Sequence, residues 1–238
     1  MRENIIMLES VDSTNEYLKK LARKDAASGT VVAALEQTAG KGRQHHTFQS
    51  NKGGIYLSMF VKCDDLSIND IMTVTAKTGV CVCLALQDAF GLHAGIKWVN
   101  DVIYHEKKIC GILVEGSPVV GNTIPGLIIG IGVNLNQESF SPEIADIATS
   151  LKIEHGREFS IPNFVDALVS RLDELRADLT SQAYLEKYRE LCVTVGQEVT
   201  YTIDQVPHSC RALGIDDSFG LITEDGVLKS GEVSVRRK

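Results

Sequence analysis

The sequence predicts an α+β chain, a mixed sheet with helices packed on it, followed by a small β-barrel-like annex. Three observations carry this expectation. Apolar runs of strand length alternate with segments of helical period up to residue 192. Beyond it no helical period survives, and short alternating runs are broken by Gly196, Gly214, Gly220, Gly226 and Gly231. With 238 residues, 44% hydrophobic and 23% charged, the chain can bury a sizeable core and has ordinary globular composition. The expected division is 1–192 for the main domain and 193–238 for the annex.

Residues 4–8 read as a short strand. Ser13 offers a hydroxyl cap with Glu16 three residues on, and Leu18 and Leu21 supply the apolar stripe of a helix reaching about Arg23. Ser28-Gly29 turns into a buried strand over 30–35. Residues 37–53 form a polar, glycine-containing loop of a length that compact domains keep for function or motion. Residues 55–61 are a strong strand. A long helix covers 70–90, capped by Ser67 or Asn69 and ended at Gly91. Short strands at 96–98 and 102–104, a hairpin turn at His105-Glu106-Lys107-Lys108, and strands at 109–115 and 126–135 complete the sheet. Residues 161–191 read as helical, with Leu168, Leu172, Leu175 and Leu179 on the apolar face.

A net charge of −7 argues against a general electrostatic footprint on nucleic acid, while leaving room for a local basic pocket. The start does not read as a signal peptide, and no apolar stretch approaches the roughly 20 residues that span a bilayer. A cytoplasmic protein that does not enter membranes is expected. The six cysteines are scattered through apolar contexts and read as reduced, buried thiols. Cys81 and Cys83, two apart on a helix, do not face one another, so a shared metal is not expected.

Two segments carry the chemistry. In Gln37-Thr38-Ala39-Gly40-Lys41-Gly42-Arg43, the glycines let backbone N–H groups approach an anion, and Arg43 can grip a carboxylate or phosphate with two hydrogen bonds. Read alone, it is equally a solvated basic turn. A P-loop is excluded, because Gly-Lys is not followed by Ser or Thr. In Lys97-Trp98-Val99-Asn100-Asp101, leading to Lys108 and Gly111, Lys97 or Lys108 can hold an anion, and Asp101 can bind magnesium or orient an amine. Its bland reading is a hairpin with charged ends. Gly130-Ile131-Gly132-Val133-Asn134 lacks the third glycine and the following helix of a dinucleotide site; its glycines suggest close approach of a ligand or backbone, with Asn134 pointing at that site. Adjacent His45-His46 have no further ligand at metal spacing. Trp98 fits core or ligand equally, and Ser13 and Thr14 fit a plain helix cap.

These blocks, in this order, resemble the biotin protein ligases. Ser13-Thr14-Asn15 is similar to the family's opening Ser-Thr-Asn, and the segment from Gln37 to Arg43 to its Gln-x-Ala-Gly-Arg-Gly-Arg loop. Gly53-Gly54-Ile55-Tyr56-Leu57-Ser58 matches the strand that follows. Lys97-Trp98-Val99-Asn100-Asp101 resembles Lys-Trp-Pro-Asn-Asp, and two later blocks begin at Lys107 and Gly130. The tail resembles the family's SH3-like C-terminal domain. The likeness covers nearly the whole chain.

The resemblance implies two steps: biotin's carboxylate attacks the α-phosphate of ATP, with Mg2+, and a lysine of a biotin carboxyl carrier domain then attacks the biotinyl-adenylate. It implies biotin contacts from Ser13, Thr14, Asn15, Gln37, Gly40, Lys41, Gly42, Arg43, Lys108 and Gly111. It implies adenylate or ATP contacts from Lys41, Arg43, Phe48, Lys97, Asn100 and Asn134. Lys108, Arg43 and Asp101 take the catalytic places, Asp101 also as a magnesium contact. The resemblance leaves a homodimer open. Only about a dozen residues precede Ser13, too few for the winged helix-turn-helix of bifunctional members, so no DNA partner is expected. Lys41 replaces an arginine and loses its planar fork. Gln44-His45-His46 stands for Arg-Gly-Arg, and Phe48 for a common tryptophan, which together predict a leakier adenylate. The rival readings are a lipoate-type protein ligase and a non-catalytic biotin- or adenylate-binding module.

Overall fold

The computed structural model describes residues 5–43, 46–63, 68–118, 126–203, 206–229 and 234–235. In chain order the first part holds β1 (Ile5–Leu8), α1 (Thr14–Ala22), β2 (Val31–Ala34), β3 (Ile55–Lys62), α2 (Ile68–Phe90), β4 (Gly95–Lys97), β5 (Asp101–Tyr104), β6 (Lys107–Gly116) and β7 (Gly126–Val133). Three helices follow, α3 (Leu151–His155), α4 (Ile161–Ala177) and α5 (Ala183–Leu191). The strands make one sheet in the order β1-β2-β3-β7-β6-β5-β4. The β1–β2 pair is parallel and every other pair is antiparallel.

Both sheet faces are covered near its centre, which is why β2 and β7 read as unbroken apolar runs. Side-chain alternation divides the layers. Val31, Ala33, Leu57, Met59, Leu127 and Ile129 join the large core under α2 and α4. Val32, Phe60 and Ile128 face the other way and pack against Leu18 and Ala22 of α1. Helix α1 is short, so it covers only part of that second face. The uncovered part carries Gly132 and Gly111, brought side by side by the β6–β7 register, with Gly130 at its edge against Asn15 of α1.

A second sheet, in the order β11-β10-β9-β8-β12, comprises β8 (Glu198–Ile203), β9 (Val206–Ile215), β10 (Leu221–Thr223), β11 (Gly226–Leu228) and β12 (Ser234–Val235). This is the small C-terminal domain. It does not hang on a linker: Val199, Ala212, Ile215, Phe219 and Leu221 belong to the same apolar cluster as the first sheet. The Phe219 ring meets Tyr188 of α5 edge-on at 5.4 Å, and the buried Lys77 of α2 lies 5.9 Å from its centre.

The structure corrects several expectations. Residues 161–191 are two helices, because Asp178 leaves the helical path and its carboxylate accepts from Thr180 N and Oγ1. Lys77 Nζ donates to the Leu179 carbonyl exposed by that break. Helix α3 was not foreseen, since five residues show no period; its signals are the Ser150 cap, accepting from Ile153 N, and Gly156 at φ 66°. The β5–β6 turn is tighter than expected: His105 and Glu106 take positive φ, and Lys107 and Lys108 are already in the strand. Asn69 lies inside α2, and the alternative cap, Ser67, is outside the described residues. Helix α2 also departs from the expectation about membranes. Its residues 71–90 are long and apolar enough to cross a bilayer by length and composition. Here it is a core helix, packed between the sheet and α4. Five cysteines are buried, Cys63 is half-buried, and all six are free thiols.

Tyr188 is fully buried and its hydroxyl has no hydrogen-bond partner among the described residues. Tyr188→Phe therefore removes an uncompensated polar group, and urea titration is expected to show equal or higher stability, by up to about 1 kcal/mol. A loss of that size would place a partner on the hydroxyl.

Candidate functional site

The bare part of the sheet face is the floor of a cavity of about 280 Å³. Its walls come from the start of α1, the loop after β2, the β4–β5 turn and β6. Glycine makes the floor low. A Cβ on Gly132 would stand 2.6 Å from the Phe48 ring, and one on Gly111 would stand 2.8 Å from it. Phe48 thus lies flat over the two glycines, edge-on to Tyr56 at 6.3 Å.

Lys97, Asp101 and Gly111 share a face through the β4–β5–β6 pairing. Lys108 joins them by an irregularity. On a regular strand, residues three apart point to opposite faces. The register shifts between Val102 and Ile103, so Ile109 is extra on β6 and Lys108 is turned to the Gly111 side. Lys108 Nζ then lies 2.7 Å from Asp101 Oδ1 and 5.7 Å from the centre of the Phe48 ring. Asp101 Oδ1 is buried and takes no directed hydrogen bond, so the ammonium is its counter-charge. The Lys108 backbone is held from outside by Ile147 and Thr149.

Arg43 reaches the same cavity and donates from Nη1 to Asn100 Oδ1 at 3.2 Å; Asn100 Nδ2 is anchored on the Ile112 carbonyl. Lys97 also lines the cavity, and no ion pair occupies it among the described residues. Four cations, Lys41, Arg43, Lys97 and Lys108, thus face one carboxylate, Asp101, in a chain of net charge −7. That is an anion site on an acidic protein.

The opposite wall is neutral and polar. Ser13 caps α1 and its Oγ accepts from Glu16 N. Thr14 donates from N (2.8 Å) and Oγ1 (3.1 Å) to Gln37 Oε1, and Gln37 Nε2 donates to Ser50 Oγ. Ser58 Oγ donates to Asn15 Oδ1 at 2.5 Å and lies 2.8 Å from Thr14 Oγ1. Asn15 Nδ2 donates to Glu115 Oε2 at 2.7 Å. All are at least half-buried, so these groups are fixed before any ligand arrives.

Most sequence-derived candidates therefore converge, with three refinements. Asn134 is buried outside the cavity lining: its Nδ2 donates to the Thr149 carbonyl and its Oδ1 accepts from Gln137, so it braces the β7 turn. Gly40 packs against Ser50 and the Phe48 carbonyl beneath the loop, outside the cavity lining. Trp98 lines the cavity yet is a core residue, its N donating to Thr194 Oγ1 and its Nε1 to the Phe219 carbonyl. Gln44 and His45 lie outside the described residues, and His46 lines the cavity. Sequence reasoning missed Ser58, Glu16 and Glu115, which back the lining residues Asn15, Thr14 and Lys41 without lining the cavity themselves. A serine amid the apolar residues of β3 was the available signal for the first.

Among the described residues no three His, Cys, Asp or Glu side chains gather to hold a metal unaided. Magnesium in nucleotide sites needs one or two carboxylates, phosphates and water supplying the rest. Asp101, half-buried and facing the cations, fits an ion carried in on phosphates.

The family model for the Biotin/lipoate A/B protein ligase family matches residues 7–134. The chain belongs to this family. It is 29% identical to the bifunctional ligase/repressor BirA of Bacillus spizizenii, over 96% of this chain and 72% of that one. It is 28% identical to the biotin–[acetyl-CoA-carboxylase] ligase of Paracoccus denitrificans, over 91% and 92%. Among solved structures, it is similar to the biotin protein ligase of Aquifex aeolicus in complex with biotin and ATP, with TM-score 0.83, 30% identity and full coverage of both chains.

Glu16 sets a pH dependence. Hydrogen bonds from Lys41 and Lys19 hold its carboxyl at about 2, against the usual 4.5. A depressed carboxylate stabilises the fold fully above its unfolded value and loses that contribution as pH falls toward the folded one. The melting-temperature gap between the native chain and Glu16→Gln should be constant above about pH 5 and narrow as pH falls from about 4.5 toward about 2. A gap unchanged down to about pH 3 would contradict the assigned pairing.

Proposed function

We propose that this chain is an ATP-dependent biotin protein ligase that forms biotinyl-adenylate and passes biotin to a lysine of a carboxylase carrier domain. The observation that carries the reading is the Lys108–Asp101 pair on the same glycine floor as the Thr14–Gln37 wall, in a chain of this family. A neutral polar wall suits a ureido ring, with two N–H donors and one carbonyl acceptor. A cluster of cations at the other end suits a carboxylate and phosphates. Naming of the relatives as biotin ligases favours biotin over lipoate.

In the first step a biotin carboxylate oxygen attacks the α-phosphorus of ATP and pyrophosphate leaves. Both reactants are anions, so the barrier is largely their repulsion, and fixed cations lower it. Lys108 holds the carboxylate and the phosphate that replaces it. Its ion pair with Asp101 and its seat beside Phe48 fix the ammonium before the substrates meet, so little reorganisation is needed. Arg43 and Lys97 take the departing negative charge, and Asn100 holds the Arg43 fork in place. Asp101 would hold a magnesium ion arriving with the nucleotide, which would supply further charge neutralisation. In the second step the carrier lysine's amine attacks the acyl carbon of the adenylate and AMP leaves. Asp101 orients that amine. Ser13 and Asn15 hold the ureido wall in shape, and Gly42 lets the loop backbone come close. Phe48 stacks on the ligand after leaving the glycine floor. The loop from Gln37 to Phe48 covers the mixed anhydride and keeps water from it.

We place the catalytic part at 1–192 and the SH3-like part at 193–238, acting as one body, in the cytoplasm. With net charge −7, DNA is not among the proposed partners.

The test is the intact mass of a biotin carboxyl carrier domain after incubation with this protein, biotin and MgATP. A gain of one biotin is expected, with Lys108→Ala slowing it by about 100-fold or more. No gain with biotin overturns the reading. Gly132→Ala should weaken biotin binding by calorimetry about tenfold or more, because its methyl would raise the floor on which the ligand rests once Phe48 has moved away; unchanged affinity would move biotin off this floor.

A further inference from the structure

Glu16 occupies the place from which a helix-capping carboxylate normally reaches back to the cap residue's N–H. Here it does not. Ser13 N donates instead to Asp12 Oδ1 at 2.7 Å. Glu16 Oε1 is left for two ammonium groups, Lys41 at 2.7 Å and Lys19 at 2.9 Å. Lys19 also pairs with Glu115 at 2.8 Å, and Glu115 accepts from Asn15. The loop's first turn is thereby tied to α1 and, through Lys19 and Glu115, to β6.

We infer that Glu16 is a positioning residue for the ligand-covering loop, with Lys41 as its anchor rather than as a phosphate contact. Resting on the ligase reading, this deepens it: the loop that retains the adenylate is held by an acid on α1. The chemistry of residue 41 agrees. A lysine offers a point charge on a flexible stem, suited to one carboxylate oxygen, whereas an arginine fork suits two phosphate oxygens. With its charge engaged by Glu16, Lys41 contributes little net field to the cavity, and the phosphates depend on Arg43, Lys97 and Lys108. The pair is partly exposed, with side-chain exposures of 50% and 31%, so its effect is modest and graded rather than all-or-none.

The first arm of the test does not depend on catalysis. Hydrogen–deuterium exchange is followed in the intact ligand-free chain at the loop amides of Gly42, His46 and Phe48, which donate to His46 O, Arg43 O and Gly40 O. Glu16→Gln and Lys41→Met should each speed exchange there about threefold to fivefold, with the β3 core amides unchanged. The double variant should be no faster than the faster single variant. Unchanged rates in Glu16→Gln, or effects that multiply in the double variant, overturn the inference, as does faster exchange throughout the core. The second arm measures dissociation of biotinyl-adenylate formed from biotin and MgATP. Release should quicken about threefold in Glu16→Gln with the same non-additivity toward Lys41→Met, whereas Arg43→Met should combine multiplicatively with Glu16→Gln. Formation of no adenylate by the unaltered chain overturns the ligase reading, and the exchange arm still decides what Glu16 does to the loop.

Discussion

A lysine three positions from a glycine on a regular strand belongs to the other side of the sheet. The extra residue in β6 removes that rule locally, and Lys108 comes round to the floor where Gly111 and Gly132 lie. The rest of the site depends on this. Asp101, opposite Gly111 across the β5–β6 pair, finds its counter-charge there. A buried carboxylate without one would be costly, and a lysine left on the far face would enter the apolar layer beneath α2. The bulge therefore solves a folding problem and places the functional cation in one move.

The charge pattern then follows from which surface α1 leaves uncovered. A helix of nine residues shields Val32, Phe60 and Ile128 and reaches Gly130 with Asn15, but stops short of Gly111 and Gly132. The open remainder is walled by low-dielectric sheet, where cations act over longer distance than they would on an exposed surface. That lets Arg43, Lys97 and Lys108 dominate locally in a chain that is acidic as a whole. The neutral wall opposes them because Thr14, Gln37 and Ser50 satisfy one another, leaving no free charge at that end. A ligand with a polar, uncharged head and an anionic tail therefore has one orientation in the cavity.

The apolar periods made the main elements legible, since β3, β7, α1 and α2 each bury a continuous face. The residues of the site were legible as motifs: Lys97, Asn100, Asp101, Lys108 and Arg43 were singled out before any contact was known. Their mutual geometry was not, because the bulge at Ile109 leaves no mark in an apolar run. Asn134 shows the converse. It lies in a recognisable block, yet a partner fifteen residues on, Thr149, claims its amide, and that partner sits in an irregular segment no period reveals. Glu16 was legible as a residue of the helix start but its partners were not, because Asp12 takes the Ser13 N–H and Lys41 lies on a distant loop. The break after Ala177 was hidden for a related reason: Leu179 continues the apolar stripe, and the Lys77 that takes its carbonyl is a hundred residues away in sequence.

The small C-terminal sheet acts on the site through one indole. Trp98 sits between Lys97 and the turn bearing Asn100 and Asp101, and both of its N–H groups are spent on the C-terminal part, one on Thr194 and one on the Phe219 carbonyl. Phe219 is in turn clamped by Tyr188 and Lys77, and it holds the left-handed conformation at φ 62° that presents its carbonyl to the indole. Val193 N donates to the Ile96 carbonyl, adding a backbone tie on the other side of β4. The two Trp98 bonds are buried, so breaking either leaves a polar group without water. Strand β4 is the sheet's last strand and pairs on one side with β5. Without the C-terminal part, Trp98 would lose both of its N–H partners, and the β4 side of the turn before Asp101 would be held less firmly. The position of the cavity's cations is thus set jointly by the bulge on one side and by the C-terminal sheet on the other.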